Sequence, residues 1–79
     1  ELELIEGIGP KIGATFRAAG ITTFKQLAAT PVERMQEILA AAGLRADPRT
    51  WAEQAALAAA GKMDELKQLQ DQLVGGRRA

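Results

Sequence analysis

Apolar residues recur along this chain at three- and four-residue spacing, interrupted repeatedly by glycine and proline, and that rhythm predicts helices throughout. Leu2 and Ile5 form a short apolar face that ends at Gly7. Pro10 stands where a helix accepts proline, at its first position, and Ile12, Phe16 and Ala19 follow on one face. Gly20 closes that segment as a left-handed cap. Thr23-x-x-Gln26 reads as a capping box opening a short helix through Leu27 and Ala28. In Thr30-Pro31-Val32-Glu33 the same signals recur, with Thr30 as N-cap, Pro31 in the first turn and Glu33 three residues on. The predicted helix runs to Ala42 with an apolar stripe of Val32, Met35, Ile38, Leu39 and Ala42, and Gly43 stops it. Asp47-Pro48 opens another, with Trp51, Ala55 and Ala58 on one face and Gly61 at its end. A last helix carries Met63, Leu66, Leu69 and Leu73. Gly75-Gly76 follows, and Arg77-Arg78-Ala79 reads as a frayed tail. No segment reads as a strand.

Composition narrows what such a protein does. At 79 residues there is room for one small domain, and 47% hydrophobic with 25% charged residues is a globular balance. Ten basic and ten acidic residues cancel, which argues against a binder that coats nucleic acid by bulk charge. Any anion site must be local. There is no cysteine for a disulfide or thiolate metal site, and no histidine. Glu33 and Glu37 read as a solvated i, i+4 pair, so neither a nucleophile, a base nor a metal cluster emerges and no enzyme activity is expected. The longest apolar or glycine run, Ile38 to Leu44, is far shorter than the roughly 20 residues of a membrane span, and no signal peptide is visible. The missing cysteines suit a reducing compartment, and a cytoplasmic location is the expectation. The chain starts at Glu1 without an initiator methionine, which suggests a piece of a larger parent protein.

The densest punctuation is Glu6-Gly7-Ile8-Gly9-Pro10-Lys11-Ile12-Gly13. It is not a dinucleotide fingerprint, because its third glycine falls one place late and a helical segment, not a strand, precedes it. It is not a Walker loop, because no Gly-Lys-Ser or Gly-Lys-Thr occurs. It reads instead as two helices joined by a tight turn. Gly7 and Gly9 can take positive φ and expose their N–H groups, Ile8 can plug the core between the helices, and Pro10 starts the next helix. Amides gathered at a helix N-terminus form an anion site, and Lys11 stands beside it. Gly13 inside the helix costs about 1 kcal/mol relative to alanine, which a close helix crossing explains. The plainer alternative is that Gly7 and Gly9 serve only the turn.

The run Leu2-x-x-Ile5-x-Gly7-Ile8-Gly9-Pro10-x-x-Gly13 resembles the helix-hairpin-helix motif, and Ala19-Gly20-Ile21-Thr22-Thr23-Phe24-x-Gln26-Leu27-Ala28 is similar to the connector of its tandem versions. The resemblance covers roughly residues 1–60 and implies an all-α, SAM-like five-helix bundle with an extra C-terminal helix. Its parts would be a first hairpin pair over 1–20, a connector helix over 23–29, a second pair over 31–60 and the extra helix over 62–73. The single domain would end at residue 74, with 75–79 a flexible tail. In the second pair Gly43 and Leu44 match, but Arg45-Ala46-Asp47 replaces the second glycine, and Asp47 is placed to cap the next helix in a phosphate's stead. This second turn is therefore expected to be structural.

The resemblance implies a non-catalytic accessory module, of a kind appended to varied bacterial proteins, that contacts DNA without sequence specificity through its backbone phosphates. Carried over by position, it nominates Gly7, Ile8 and Gly9 as hairpin backbone, Lys11 as the charged contact and Arg17 as a further one. No cofactor is implied, although some members hold a monovalent cation at the hairpin carbonyls. A protein-interaction or assembly module that keeps the fold without nucleic acid is the competing reading, favoured by the zero net charge, the altered second turn and the leucine-bearing last helix. Trp51 reads as a core anchor in preference to a base-stacking platform, and the Met63–Leu73 stripe as packing on this domain's own core in preference to a dimer seam. Arg77 and Arg78 read as solvated tail, while Arg45 and Arg49 would restore positive field around Asp47.

Overall fold

The computed structural model describes residues 1–78, and within them the chain is a helical bundle. A single 3₁₀ turn, Leu2–Leu4, precedes α1 (Pro10–Ala18), α2 (Phe24–Ala28), α3 (Val32–Ala41), α4 (Trp51–Ala59) and α5 (Met63–Asp71). A two-stranded antiparallel ribbon follows, β1 (Leu73–Val74) on β2 (Arg77–Arg78), with Leu73 opposite Arg78 and Val74 opposite Arg77. Helix α4 packs on α2 and α5, and α1 packs on α3. None of the described helices is long and apolar enough to cross a membrane.

The helix ends follow the local chemistry of the sequence. The expected capping box is present: Thr23 Oγ1 accepts from Gln26 N–H at 3.1 Å and Gln26 Oε1 accepts from Thr23 N–H at 3.1 Å. Helix α1 ends when Gly20 turns to φ +92, which lets Ile21 N–H reach back to Phe16 C=O at 2.9 Å and brings Ile21 into the core. Gly43 and Gly61 close α3 and α4 by the same pattern of backbone bonds.

Two starts lie later than the sequence suggests. Helix α3 takes Pro31 as its N-cap, because the Thr30 hydroxyl donates to Gln26 C=O of the preceding helix at 2.7 Å and does no capping. Helix α4 begins at Trp51, three residues beyond Pro48. Asp47 therefore caps no helix. Its carboxylate accepts from Arg49 N–H at 3.2 Å and from the Arg49 guanidinium at 2.6–3.0 Å, a ring closed within the turn.

The core gathers Leu2, Ile5 and Ile8 from the first hairpin with Phe16, Leu27, Met35, Leu39, Trp51 and Ala55. Trp51 is wholly buried, and its ring meets Phe16 edge-to-face at 5.6 Å and 70°, so it is a core anchor. The stripe expected on the last helix divides, since α5 ends at Asp71: Leu66 on α5 and Leu73 on β1 are buried against this domain, while Met63 stays exposed.

The C-terminal segment differs most from expectation. In place of a frayed tail, Gly75 and Gly76 at φ +59 and +84 form the two-residue turn that suits a hairpin's twist, and the ribbon folds back on the bundle. Gly76 is buried against Glu6 and Gly7, and the Thr50 hydroxyl donates to its carbonyl. Ala79 lies outside the described residues.

Candidate nucleic-acid interface

The first hairpin is held from beneath by a side chain that no motif marks. Gln54, on α4 and fully buried, pairs with the backbone of Glu6 in both directions: Oε1 accepts from Glu6 N–H at 2.7 Å and Nε2 donates to Glu6 C=O at 3.0 Å. Its remaining contacts go to Thr50 Oγ1 at 3.2 Å and to Gln70 Nε2 at 3.0 Å, and Gln70 also donates to Leu4 C=O at 2.9 Å. Two glutamines on α4 and α5 thus fix the chain on the approach to Gly7. The signal in the sequence was a lone amide on an otherwise apolar face, beside Trp51 and Ala55.

The two glycines of the hairpin do different work. Gly7 takes φ +104, and a methyl group there would lie 2.8 Å from Trp51 Nε1 and 2.9 Å from Gly75 O, so conformation and space both require glycine. The indole N–H below it is buried without a hydrogen-bond partner among the described residues. Gly9, expected to share the positive φ, instead has φ −91 and ψ −177 and serves as N-cap of α1. A methyl group at Gly9 would meet nothing within 4 Å. Ile8 is buried and plugs the core as expected, but its N–H donates to Ile5 C=O at 3.0 Å inside the turn and is not offered outward. The N–H groups of Gly9 and Lys11 have no partner among the described residues, and both residues are exposed at the N-terminus of α1. Of the hairpin carbonyls on which a monovalent cation would depend, those of Ile5, Glu6 and Gly9 accept from Ile8 N–H, Gln54 Nε2 and Gly13 N–H.

Charge is distributed unevenly around this crest. Lys11 makes no ion pair among the described residues. Arg17 is brought elsewhere: its guanidinium grips Glu3 with NH1 at 3.3 Å from Oε1 and NH2 at 3.2 Å from Oε2. That fork is the first cause of a Glu3 carboxyl lowered to about 2, and it leaves Arg17 engaged within the molecule. Gly13 makes room for the pair, since a methyl group there would lie 2.5 Å from Glu3 Oε2. The close approach inferred for Gly13 is thus real, but a carboxylate makes it and not a helix backbone. Asp47 is lowered to about 2, chiefly by its hydrogen bonds from Arg49.

Beside the crest lies a cleft of about 450 Å³ between the first hairpin at Gly7 and Ile12, the second turn at Arg45 and Ala46, and the ribbon at Gly75 and Arg77. Asp47 completes its lining. The sequence suggests Arg45 as positive field around Asp47 and Arg77 as part of a solvated tail. The fold brings both to the edge of the first hairpin.

No match was found among curated proteins or among solved structures. A family model described as the RS2/RL21/YNQ2 HHH domain matches residues 2–59, from the 3₁₀ turn to the end of α4, and so takes in both turns and the connector helix. With its glycine hairpin pinned between paired helices and most of its length matched, the chain belongs to the RS2/RL21/YNQ2 HHH domain family, and is a small helix-hairpin-helix module of a kind that associates with nucleic acid or protein.

Proposed function

We propose that the domain is a non-catalytic accessory module that holds the DNA backbone without reading its sequence, through the outward half of the first hairpin. The observation that carries this reading is Gly9. Its backbone conformation is open to any residue and its side-chain direction is empty, so the fold itself does not require glycine there. A glycine on an exposed crest, between unpartnered amides and next to an unpaired lysine, suits close approach by a phosphate. The Gly9 and Lys11 amides would donate to the phosphate oxygens and Lys11 Nζ would supply charge, with Gly7 and Ile8 shaping the turn from within. Arg17 is left out of the site by its pairing with Glu3.

Two or three phosphate contacts imply a salt slope of about −2 to −3 and dissociation constants of about 10⁻⁴ M or weaker, so affinity in use would come from linkage to other binding units. The test is a ¹⁵N NMR titration with a mixed-sequence duplex at low and moderate salt. The amides of Gly9 and Lys11 should shift together, less so at higher salt, and Lys11→Glu should abolish the effect while leaving the spectrum folded. Amides that stay still under a large excess of duplex would overturn the reading.

A second reading, a protein-interaction or assembly module, draws on the exposed apolar side chains of Leu4, Met63 and Val74. Its signature is a mass that rises with concentration, or a partner whose binding survives Lys11→Glu.

A further inference from the structure

Four of the six arginines are held by a carboxylate: Arg17 by Glu3, Arg34 by Glu37, Arg49 by Asp47 and Arg78 by Glu53. The other two, Arg45 and Arg77, have no such partner among the described residues, and both line the cleft beside the first hairpin. Two like charges at one cleft repel each other, and among the described residues no carboxylate forms an ion pair with either. Asp47 also faces the cleft, but its two oxygens are already gripped by Arg49 at 2.6–3.0 Å, so that pair is close to neutral. The cleft therefore carries the excess positive charge of Arg45 and Arg77. Guanidinium groups present planar forks of N–H donors, a geometry that matches phosphate oxygens and is poorly served by a bare halide or a single carbonyl.

We propose that this cleft is a second phosphate site, in which Arg45 of the second turn and Arg77 of the ribbon hold a backbone phosphate of the DNA that the first hairpin engages. The inference rests on the proposed function and extends it. The second turn, without its second glycine, contributes a side chain where the first hairpin contributes amides. The ribbon, outside the residues matched by the family, becomes part of the interface. Because Ile12 adjoins both the cleft and Lys11, the two sites share one surface, and one strand can run over both.

The experiment follows backbone amides and arginine Nε–H signals in one titration with a mixed-sequence duplex, for the wild type, Arg45→Gln, Arg77→Gln and, as a control outside both sites, Lys62→Gln. All three substituted side chains are exposed, so the fold is expected to persist. The expected result is that Arg45 and Arg77 Nε–H shift with the Gly9 and Lys11 amides. Each arginine variant should then bind on the order of tenfold more weakly at about 50 mM salt, with a salt slope shallower by about 1, and Lys62→Gln should bind as wild type. If the hairpin amides respond while the two arginines do not and their variants bind as wild type, the second site is wrong and the proposed function stands. If the arginines respond while Gly9 and Lys11 do not, the cleft is an anion site and the hairpin reading falls. If neither group responds to excess duplex, both fall.

Discussion

Replacing Gln54 by leucine tests whether the hairpin is held by the buried amide. Leucine is close to glutamine in volume and opens no large cavity, so the loss is one of hydrogen bonds. Glu6 loses the partners of its N–H and C=O at 2.7 and 3.0 Å. Thr50 keeps its donation to Gly76 and Gln70 keeps its donation to Leu4, so those two remain satisfied in part. An unsatisfied buried backbone group costs about 1–3 kcal/mol, and Glu6 is only half-buried, which returns some of that to water; the sum is about 2–4 kcal/mol. A domain of this length has roughly 4–12 kcal/mol in all, so the change removes a large share of it. Trp51 is the only tryptophan and is fully buried, so its emission reports global unfolding in urea. With a slope near 1 kcal/mol per molar for a small domain, the midpoint should fall by about 2–4 M. A midpoint within about 0.5 M of wild type would refute the idea that Gln54 anchors the hairpin.

Further expectations separate structural from functional residues. Gly7→Ala should destabilise by about 2–4 kcal/mol in the same urea assay, from its positive φ and from contact with Trp51 and Gly75. Gly9→Ala should change stability by less than about 1 kcal/mol yet weaken duplex binding in the NMR titration, because its methyl group stands where the phosphate approaches. Ending the chain at Gln72 removes buried Leu73 and the ribbon packed on Gly7, whose neighbour is Trp51; stability should drop by about 2–3 kcal/mol and the tryptophan emission should move to the red. Glu3 and Asp47 are lowered from 4.5 and 3.8 to about 2, by Arg17 and Arg49 foremost. Depressed folded values mean that their stabilisation is full above the unfolded values and is lost as pH falls from there toward 2. Urea midpoints measured across that window should fall less steeply in Glu3→Gln and Asp47→Asn than in the wild type, and equal steepness would show that the two pairs do not stabilise the fold.

Where the sequence was legible, the determinants were local. The Thr23–Gln26 box, the glycine caps at Gly20, Gly43 and Gly61, and the apolar stripes each act within a helical turn or two, so spacing alone reveals them. The helix starts at Val32 and Trp51 escaped because Thr30 and Asp47 had two uses each for their oxygens, and a carbonyl one turn back and a neighbouring guanidinium won. Gln54 escaped because its partner, Glu6, is 48 residues away. The ribbon carried a readable signal, a Gly-Gly pair between Leu73-Val74 and Arg77-Arg78, but strands of two residues gain little from pairing alone. What holds them is the burial of Leu73 and Gly76 on the bundle.

The candidate site shows the same division at the scale of one tripeptide. Gly7 and Gly9 look equivalent in the sequence, since either glycine can serve a turn or admit a phosphate. Backbone conformation and surroundings separate them, with positive φ at Gly7 and not at Gly9, and the ribbon laid over Gly7. By laying Gly76 on Gly7, with Trp51 on the inner side, the fold turns the first glycine inward and commits it to packing, and the crest that remains open is Gly9, Pro10 and Lys11. The same ribbon sets Arg77 at the edge of the hairpin it covers. Covering one half of the hairpin and adding charge beside the other are therefore consequences of one packing event. A change that detaches the ribbon should lower stability and phosphate contact together, whereas Arg77→Gln should lower phosphate contact alone.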